Sequence, residues 1–298
     1  MDIKPWIKAF RIRTLPLAFS SVLMGSCLAI ASEAFHWIVI WLSVVTTLLL
    51  QILSNLANDY GDGVKGTDNG MRLGPTRAIQ SKEISPKSMR RGILLFVILC
   101  LIFGIWLIYE ALGSDWLTGL LFLSLGVVSI VAAIKYTVGN NAYGYAGFGD
   151  IFVFVFFGLI AVMGTYYLNA LSLNWFILFP AASMGFLSTG VLNLNNMRDI
   201  DNDRKSAKKT LASQMGIKRA MIYHVVLISG ALLTALTYSF ITYSSPWNFI
   251  YLITLPLFIL DLRQIIKTSE NEKLDPFLRN LALSTLLFSG LFGFGLIF

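Results

Sequence analysis

Two short stretches of this 298-residue chain gather carboxylates and amides at helical spacing. The first reads Gln51-Ile-Leu-Ser-Asn55-Leu-Ala-Asn58-Asp59-Tyr-Gly-Asp62. The second reads Asn193-Leu-Asn195-Asn196-Met-Arg198-Asp199-Ile-Asp201-Asn202-Asp203. Residues four apart share a helix face, so Asn55 and Asp59 point together with Asp62 a further turn along, and Asn195, Asp199 and Asp203 form a second stripe. Brought to one place, Asp59, Asp62, Asp199 and Asp203 repel one another unless a cation lies between them. Oxygen donors of this kind suit Mg²⁺, which keeps waters and shares its coordination sphere with substrate phosphates. Cations follow each stripe: Lys65, Arg72, Arg77 and Lys82 after the first, then Arg204, Lys205, Lys208 and Lys209 after the second, with Arg198 inside it. Metal bridging the oxygens of a diphosphate, with Arg and Lys meeting its remaining charge, is a coherent chemistry for that set. The bland alternative is that Asp and Asn cap solvated helix ends. It suits one such cluster better than two matched ones, because drawing a charge into a bilayer costs about 3 kcal/mol.

The elements that hold these stripes are apolar. The chain is 56% hydrophobic and only 13% charged, with a mean hydropathy of +0.71, whereas a soluble domain is roughly a quarter charged. That excludes a soluble enzyme. Apolar runs long enough to span a bilayer lie at 14–32, 37–57, 92–112, 116–134, 151–169, 174–194, 220–243, 247–266 and 280–298. A stretch such as Ile151-Phe-Val-Phe-Val-Phe-Phe157 does not alternate as a barrel strand does. The fold class is therefore an all-α membrane protein, a bundle of nine transmembrane helices. All 23 Lys and Arg fall in the N-terminal segment and in alternate loops, and the opposite face carries only Glu33, Glu110 and Asp115. By the positive-inside rule the N-terminus is cytoplasmic and the C-terminus outside.

The net charge of +7 reads as loops resting on the anionic lipid bilayer rather than as a nucleic-acid surface. The first 13 residues resemble a signal n-region, but a long span and eight more follow, so the first helix is expected to be retained. Cys27 and Cys100, far apart and within spans, read as packing residues. The Asn-x3-Asp pair of the first stripe recurs 140 positions later in the second. That suggests one domain, 1–298, built of two diverged helical halves, roughly 1–134 and 135–298, facing each other across a cavity. A diphosphate ester with a lipid tail is the natural substrate.

The motifs resemble those of a known family. Asn58-Asp59-Tyr60-Gly61-Asp62, then Gly66-Thr67-Asp68 and Arg72-Leu-Gly74-Pro75-Thr-Arg77-Ala78, look like the first aspartate-rich motif of the UbiA superfamily of intramembrane prenyltransferases. Asn195-Asn196-x-Arg198-Asp199-x3-Asp203-Arg204 with Lys208-x-Thr210 resembles the second. The Arg-x-Gly-Pro-x-Arg run, with Tyr136-Thr137 and Tyr143-Gly144-Tyr145, is similar to the branch that prenylates 1,4-dihydroxy-2-naphthoate in menaquinone synthesis, and Arg13-Thr-Leu-Pro16 resembles the start of that branch's first helix. The sequence departs from the family at Val138-Gly139-Asn140, where Gly-Gly-Pro is usual, at Asp150 in place of Glu, and at Ala207 in place of Gly.

The resemblance covers the whole chain and implies Mg²⁺ as cofactor, with polyprenyl diphosphate and an aromatic acceptor as partners. It implies that Asp59, Asp62, Asp199 and Asp203 are catalytic and hold metal together with Asn55 and Asn195. Lys65, Arg72, Arg77, Lys135, Arg198 and Lys208 would bind diphosphate, and Arg13, Tyr136, Tyr143 and Tyr145 the acceptor, with Asn58 and Asp68 completing the site. The allylic C–O bond ionises, the electron-rich ring attacks, and carbon dioxide leaves the attacked position. Ring faces of the loop tyrosines and of Phe152, Phe154 and Phe156 are candidates to shield the cation. Other acceptors, such as 4-hydroxybenzoate, and a transporter built from two halves are the alternatives. A carrier, however, places its ionisable residues near the midplane, and these stripes lie at one end.

Overall fold

The computed structural model describes residues 3–268 and 270–298. Among them nine helices are long and apolar enough to cross a membrane: α1 Lys4–Ala31, α2 Trp37–Lys65, α3 Pro86–Leu112, α4 Trp116–Lys135, α5 Gly149–Ala170, α6 Trp175–Arg198, α7 Ile217–Ile241, α8 Pro246–Lys267 and α9 Asn271–Ile297. The described residues form no strand.

Neighbours in sequence pack against each other through α1 to α4 and again through α5 to α9. The two groups close because α1 packs on α2 and also on α5, α6 and α9. That makes α1 the most enclosed span, with 61% of its apolar window buried, against 11% for α3 and for α4. In a water-soluble protein the outward Leu94, Ile98, Ile102, Leu117, Leu120 and Val128 would form an exposed apolar patch; here they meet lipid tails. Close helix approach uses small residues, as expected where lipid gives no hydrophobic drive for association. A Cβ at Gly158 of α5 would lie 2.6 Å from Gly185 Cα of α6. The same stretch of α5, Phe154–Met163, is wound in wide π turns, a distortion often found at functional sites.

Several helix ends differ from the spans set by hydropathy, and two of these differences bear on the acid-rich stretches. Helix α2 does not stop near residue 57 but continues to Lys65, where Gly66 (φ 74°) closes it in the left-handed region; the Thr67 amide then donates to the Asp62 carbonyl at 3.0 Å. Helix α6 runs on to Arg198 and breaks at Asp199, after which a short helix, Ile200–Lys205, resumes. Hydropathy marks where lipid ends, while the helix persists until a residue ends it. Both acid-rich stretches thereby stand on helices reaching beyond the apolar band.

Candidate active site

The two stretches meet at one end of the bundle. Direct contacts join them: Lys208 Nζ lies 3.3 Å from Asp62 Oδ2, Arg72 Nη2 lies 3.7 Å from Asp199 Oδ2, and Asn202 Nδ2 donates to the Thr67 carbonyl at 2.9 Å. Asp59, Asp62, Asp68, Asp199 and Asp203 are all buried. A buried carboxylate must be paired or neutralised, and each of these has a partner.

Around the first stretch the partners come from distant segments. Asp59 Oδ1 accepts from Arg11 Nη2 and from Arg77 Nη1, the latter at 3.1 Å. Arg11 reaches it because helix α1 breaks there, with Arg11 itself at φ 52°. A non-glycine side chain in the left-handed region costs about 1–2 kcal/mol, and such outliers cluster at functional sites. Asp68 pairs with Arg72 Nε at 3.1 Å, and its Oδ2 is buried with no partner. Asp62 Oδ1 accepts from the Tyr145 hydroxyl at 2.7 Å, and Lys65 Nζ stands 3.9 Å over the Tyr145 ring. Around the second stretch the main partner is adjacent. Arg198, fully buried, gives Nη2 to Asp199 Oδ2 at 2.6 Å and Nε to Asp199 Oδ1 at 3.2 Å. Thr210 Oγ1 donates to Asp203 at 3.3 Å.

The titration of the loop residues follows these pairings. Burial, then the nearby Asp62 charge, pushes the Asp68 carboxyl up to about 7, against the pull of Arg72. Burial likewise raises Asp203, to about 6. Asp199 shifts the other way: burial would raise it, but its bonds to Arg198 and the Arg72 charge more than offset that and hold it low. Burial alone would lower Lys208, yet Asp62 and Asp203 raise it, so it stays charged.

The two amides that the sequence offers as metal ligands are hydrogen-bonded within the protein. Asn55 donates to the Phe10 carbonyl at 2.9 Å and to Thr14 Oγ1 at 3.1 Å, and Asn195 Oδ1 accepts from Arg198 Nη2 at 2.9 Å. Asn58 Oδ1 accepts from Thr137 Oγ1 at 3.3 Å. Among the described residues no three His, Cys, Asp or Glu side chains converge as a ready-made metal cluster. The unpartnered oxygens Asp68 Oδ2 and Asn202 Oδ1 and the raised carboxyls nonetheless leave room for one more positive charge, and the donor set is the hard oxygen set that Mg²⁺ prefers.

Tyr136, Tyr143 and Tyr145 lie on the 136–148 loop beneath α2. Thr137 Oγ1 donates to the Ala57 carbonyl at 3.0 Å, and Gly61 permits this approach, since a Cβ there would sit 2.5 Å from Thr137 Oγ1. Tyr143 stacks on Phe152 at 3.9 Å, and Phe152 on Phe156 at 5.9 Å. Phe154 turns away to Phe186, at 4.9 Å, so only part of the phenylalanine run faces the loop tyrosines. Lys135 is exposed and stands outside the ion-pair cluster. Arg13 lines a small open cleft with Arg11, Arg77, Asn195, Leu278 and Arg279.

Sequence alone singles out neither Arg11, one of four basic residues in the N-terminal segment, nor Asp275. Asp275 takes Nη1 of Arg198 and, at 3.3 Å, Nη1 of Arg13.

Known proteins similar in sequence and fold give the chain a family. Residues 18–286 match the profile of the UbiA prenyltransferase family. The chain is 40% identical over 293 residues to the 1,4-dihydroxy-2-naphthoate octaprenyltransferase of Escherichia coli (strain K12), covering 98% of this chain and 94% of that one. It is 42% identical to the protein of that name from Haemophilus influenzae, with 99% and 96% covered. In fold it is similar to a UbiA homolog from Aeropyrum pernix K1 (TM-score 0.67, 14% identity, 92% and 97% covered) and to one from Archaeoglobus fulgidus bound to DMAPP and Mg²⁺ (TM-score 0.60, 15% identity, 96% and 98% covered). The chain belongs to the UbiA prenyltransferase family.

Proposed function

We propose that this family member transfers a polyprenyl group from polyprenyl diphosphate to 1,4-dihydroxy-2-naphthoate, with loss of diphosphate and carbon dioxide, giving demethylmenaquinol. The observation that carries the reading is the interleaving of two acid-rich helix ends with Arg11, Arg72, Arg77, Arg198 and Lys208 at the end of an apolar bundle. The identity to proteins named as naphthoate prenyltransferases supports 1,4-dihydroxy-2-naphthoate as the acceptor. Asp59, Asp62, Asp199 and Asp203, aided by Asn55 and Asn195, are the residues to hold Mg²⁺. When bound, that ion supplies Lewis-acid stabilisation of the departing diphosphate.

The chain's own residues set up the rest. Cations now paired with Asp59, Asp62 and Asp199 exchange those carboxylates for phosphate oxygens, so substrate enters without stranding a buried charge. Arg72, Arg77, Arg198 and Lys208 then hold the negative charge that grows as the allylic C–O bond breaks. Arg13 orients the acceptor's carboxylate in the cleft beside α1. Tyr136, Tyr143 and Tyr145 cover the ring and exclude water from the allylic cation, and the prenyl tail lies among the apolar helices. We also infer a cytoplasmic N-terminus and a cytoplasm-facing site, because the Lys and Arg bias places all basic loops on that face. Two diverged halves, 1–134 and 135–298, complete the proposal.

The experiment offers purified protein Mg²⁺, a polyprenyl diphosphate, and either 1,4-dihydroxy-2-naphthoate or 4-hydroxybenzoate, with product identified by mass spectrometry. A decarboxylated prenyl-naphthoquinol from the first acceptor alone is expected. Product from 4-hydroxybenzoate alone would move the acceptor, and no consumption of prenyl diphosphate would remove the enzyme reading.

A further inference from the structure

One carboxylate at this end of the bundle has no task in the scheme above. Asp275 stands in the first turn of the regular part of α9, Asp275–Ile297, ahead of Pro276. A carboxylate is favoured there by the helix dipole alone. A solvated helix start, however, needs no arginine from another span, and Asp275 engages two. Its Oδ1 accepts from Nη1 of Arg198, and its Oδ2 accepts from Nη1 of Arg13 at 3.3 Å. The other donors of Arg198 go to Asp199 and Asn195. A single carboxylate on the last span thus ties the buried guanidinium of the second acid-rich stretch to the arginine lining the cleft beside α1. The Arg198 side chain is 0% exposed while that of Arg13 is 37% exposed, so one arm is closed and the other lies at the mouth.

We propose that Asp275 is a positioning residue that sets both substrate-facing arginines at once, Arg198 for the diphosphate and Arg13 for the acceptor carboxylate. The proposal rests on the reading of those two arginines given above. Without the Asp275 charge, Arg198 keeps one carboxylate partner, Asp199, and grips it in a way that hinders exchange for phosphate. Arg13 also loses its anchor and is repelled by the other arginines of the cleft, Arg11, Arg77 and Arg279.

The test compares wild type, Asp275→Asn, Asp275→Glu, Arg13→Gln and the Asn/Gln double variant as purified full-length protein. Two readouts are taken: KM for 1,4-dihydroxy-2-naphthoate, and the thermal stabilisation given by Mg²⁺ with geranyl thiolodiphosphate in the absence of acceptor. Asp275→Asn is expected to raise the acceptor KM about tenfold, as Arg13→Gln does, with no further rise in the double variant. Asp275→Asn, but not Arg13→Gln, is expected to lose more than half of the stabilisation. Asp275→Glu, which keeps the charge, is expected to recover both readouts, and it decides the matter if Asp275→Asn does not fold. Wild-type values in Asp275→Asn, additive KM effects, or a failure of Asp275→Glu to recover either readout overturn the proposal. A wild type that binds the thiolodiphosphate but never consumes the naphthoate would instead overturn the acceptor reading, and the stabilisation readout would still decide the Arg198 arm.

Discussion

In the first acid-rich stretch the carboxylates stand on an unbroken helix, and their cations arrive from elsewhere: Arg11 from the break in α1, Arg77 from the following loop, and Lys208 from beyond α6. In the second stretch the helix itself breaks, at Asp199, and the cation is the residue next door. The side chains of Arg11 and Arg77 are 15% and 13% exposed, whereas Arg198 is sealed. The same chemical inventory is therefore built once as an adjustable cluster and once as a fixed one. On the reading proposed above, the cations of the adjustable side move as substrate enters, whereas Arg198 on the fixed side stays in place and exchanges only its partner.

The sharpest way to break that contrast is a pair of variants. Asp59→Asn and Asp199→Asn are both expected to lower turnover by about 10²–10³-fold, the scale of one electrostatic stabiliser of a developing charge. Only Asp199→Asn is expected also to be heat-labile, because removing one partner from a buried pair costs about 3–5 kcal/mol. Thermal melting of the two proteins checks this, and equal stability would erase the distinction. Gly74→Ala comes next. A Cβ there would lie 2.5 Å from Arg198 Nη2 and 2.7 Å from Arg72 Nη2. Overpacking costs about 1–3 kcal/mol, and because Arg198 has nowhere to move, kcat/KM for the prenyl diphosphate is expected to fall about tenfold.

Tyr145→Phe removes one hydroxyl shared between Asp62 and Thr67. A hydrogen bond of net worth about 0.5–1.5 kcal/mol predicts a roughly three- to tenfold loss in kcat/KM, confined to the adjustable side. Ala207, at φ 54°, sits just before Lys208 in the left-handed region. Ala207→Gly is expected to stabilise the protein by about 1 kcal/mol, since that conformation costs a non-glycine residue about this much; a lower melting temperature would contradict the strain. The smallest effect is with pH. Asp68 is raised to about 7 in the fold, so folding takes up a proton as pH falls through that value. Metal-free protein should therefore gain about 1 kcal/mol of stability between pH 8 and pH 6 and lose it as pH rises again. Asp68→Asn should flatten that part of the profile in a melting series.

Much of this was legible in the residues. Long apolar runs located all nine spans, and four-residue spacing picked out Asp59, Asp62, Asp199 and Asp203, because helical periodicity is a local property. Helix ends were less legible. Hydropathy stopped α2 near residue 57, although nothing between Asn58 and Lys65 prevents a helix until Gly66 turns the chain. Long-range partners were the least legible. Arg11 finds Asp59 across 48 positions and Asp275 finds Arg198 across 77, distances over which no periodicity operates. Asp-Pro at the start of α9 reads as a helix cap until α6 and α1 are seen beside it. Lys135 shows the converse: next to a loop tyrosine in sequence, it is exposed and joins none of the ion pairs described above.

On the reading proposed above, the two unlike clusters would together hold one diphosphate with its Mg²⁺. Calorimetric titration of geranyl thiolodiphosphate with Mg²⁺ into wild type, Asp59→Asn and Asp199→Asn tests it most directly. A shared site predicts that either substitution alone weakens binding by about a hundredfold, equivalent to about 2.7 kcal/mol. Affinity at the wild-type level in either variant would contradict it.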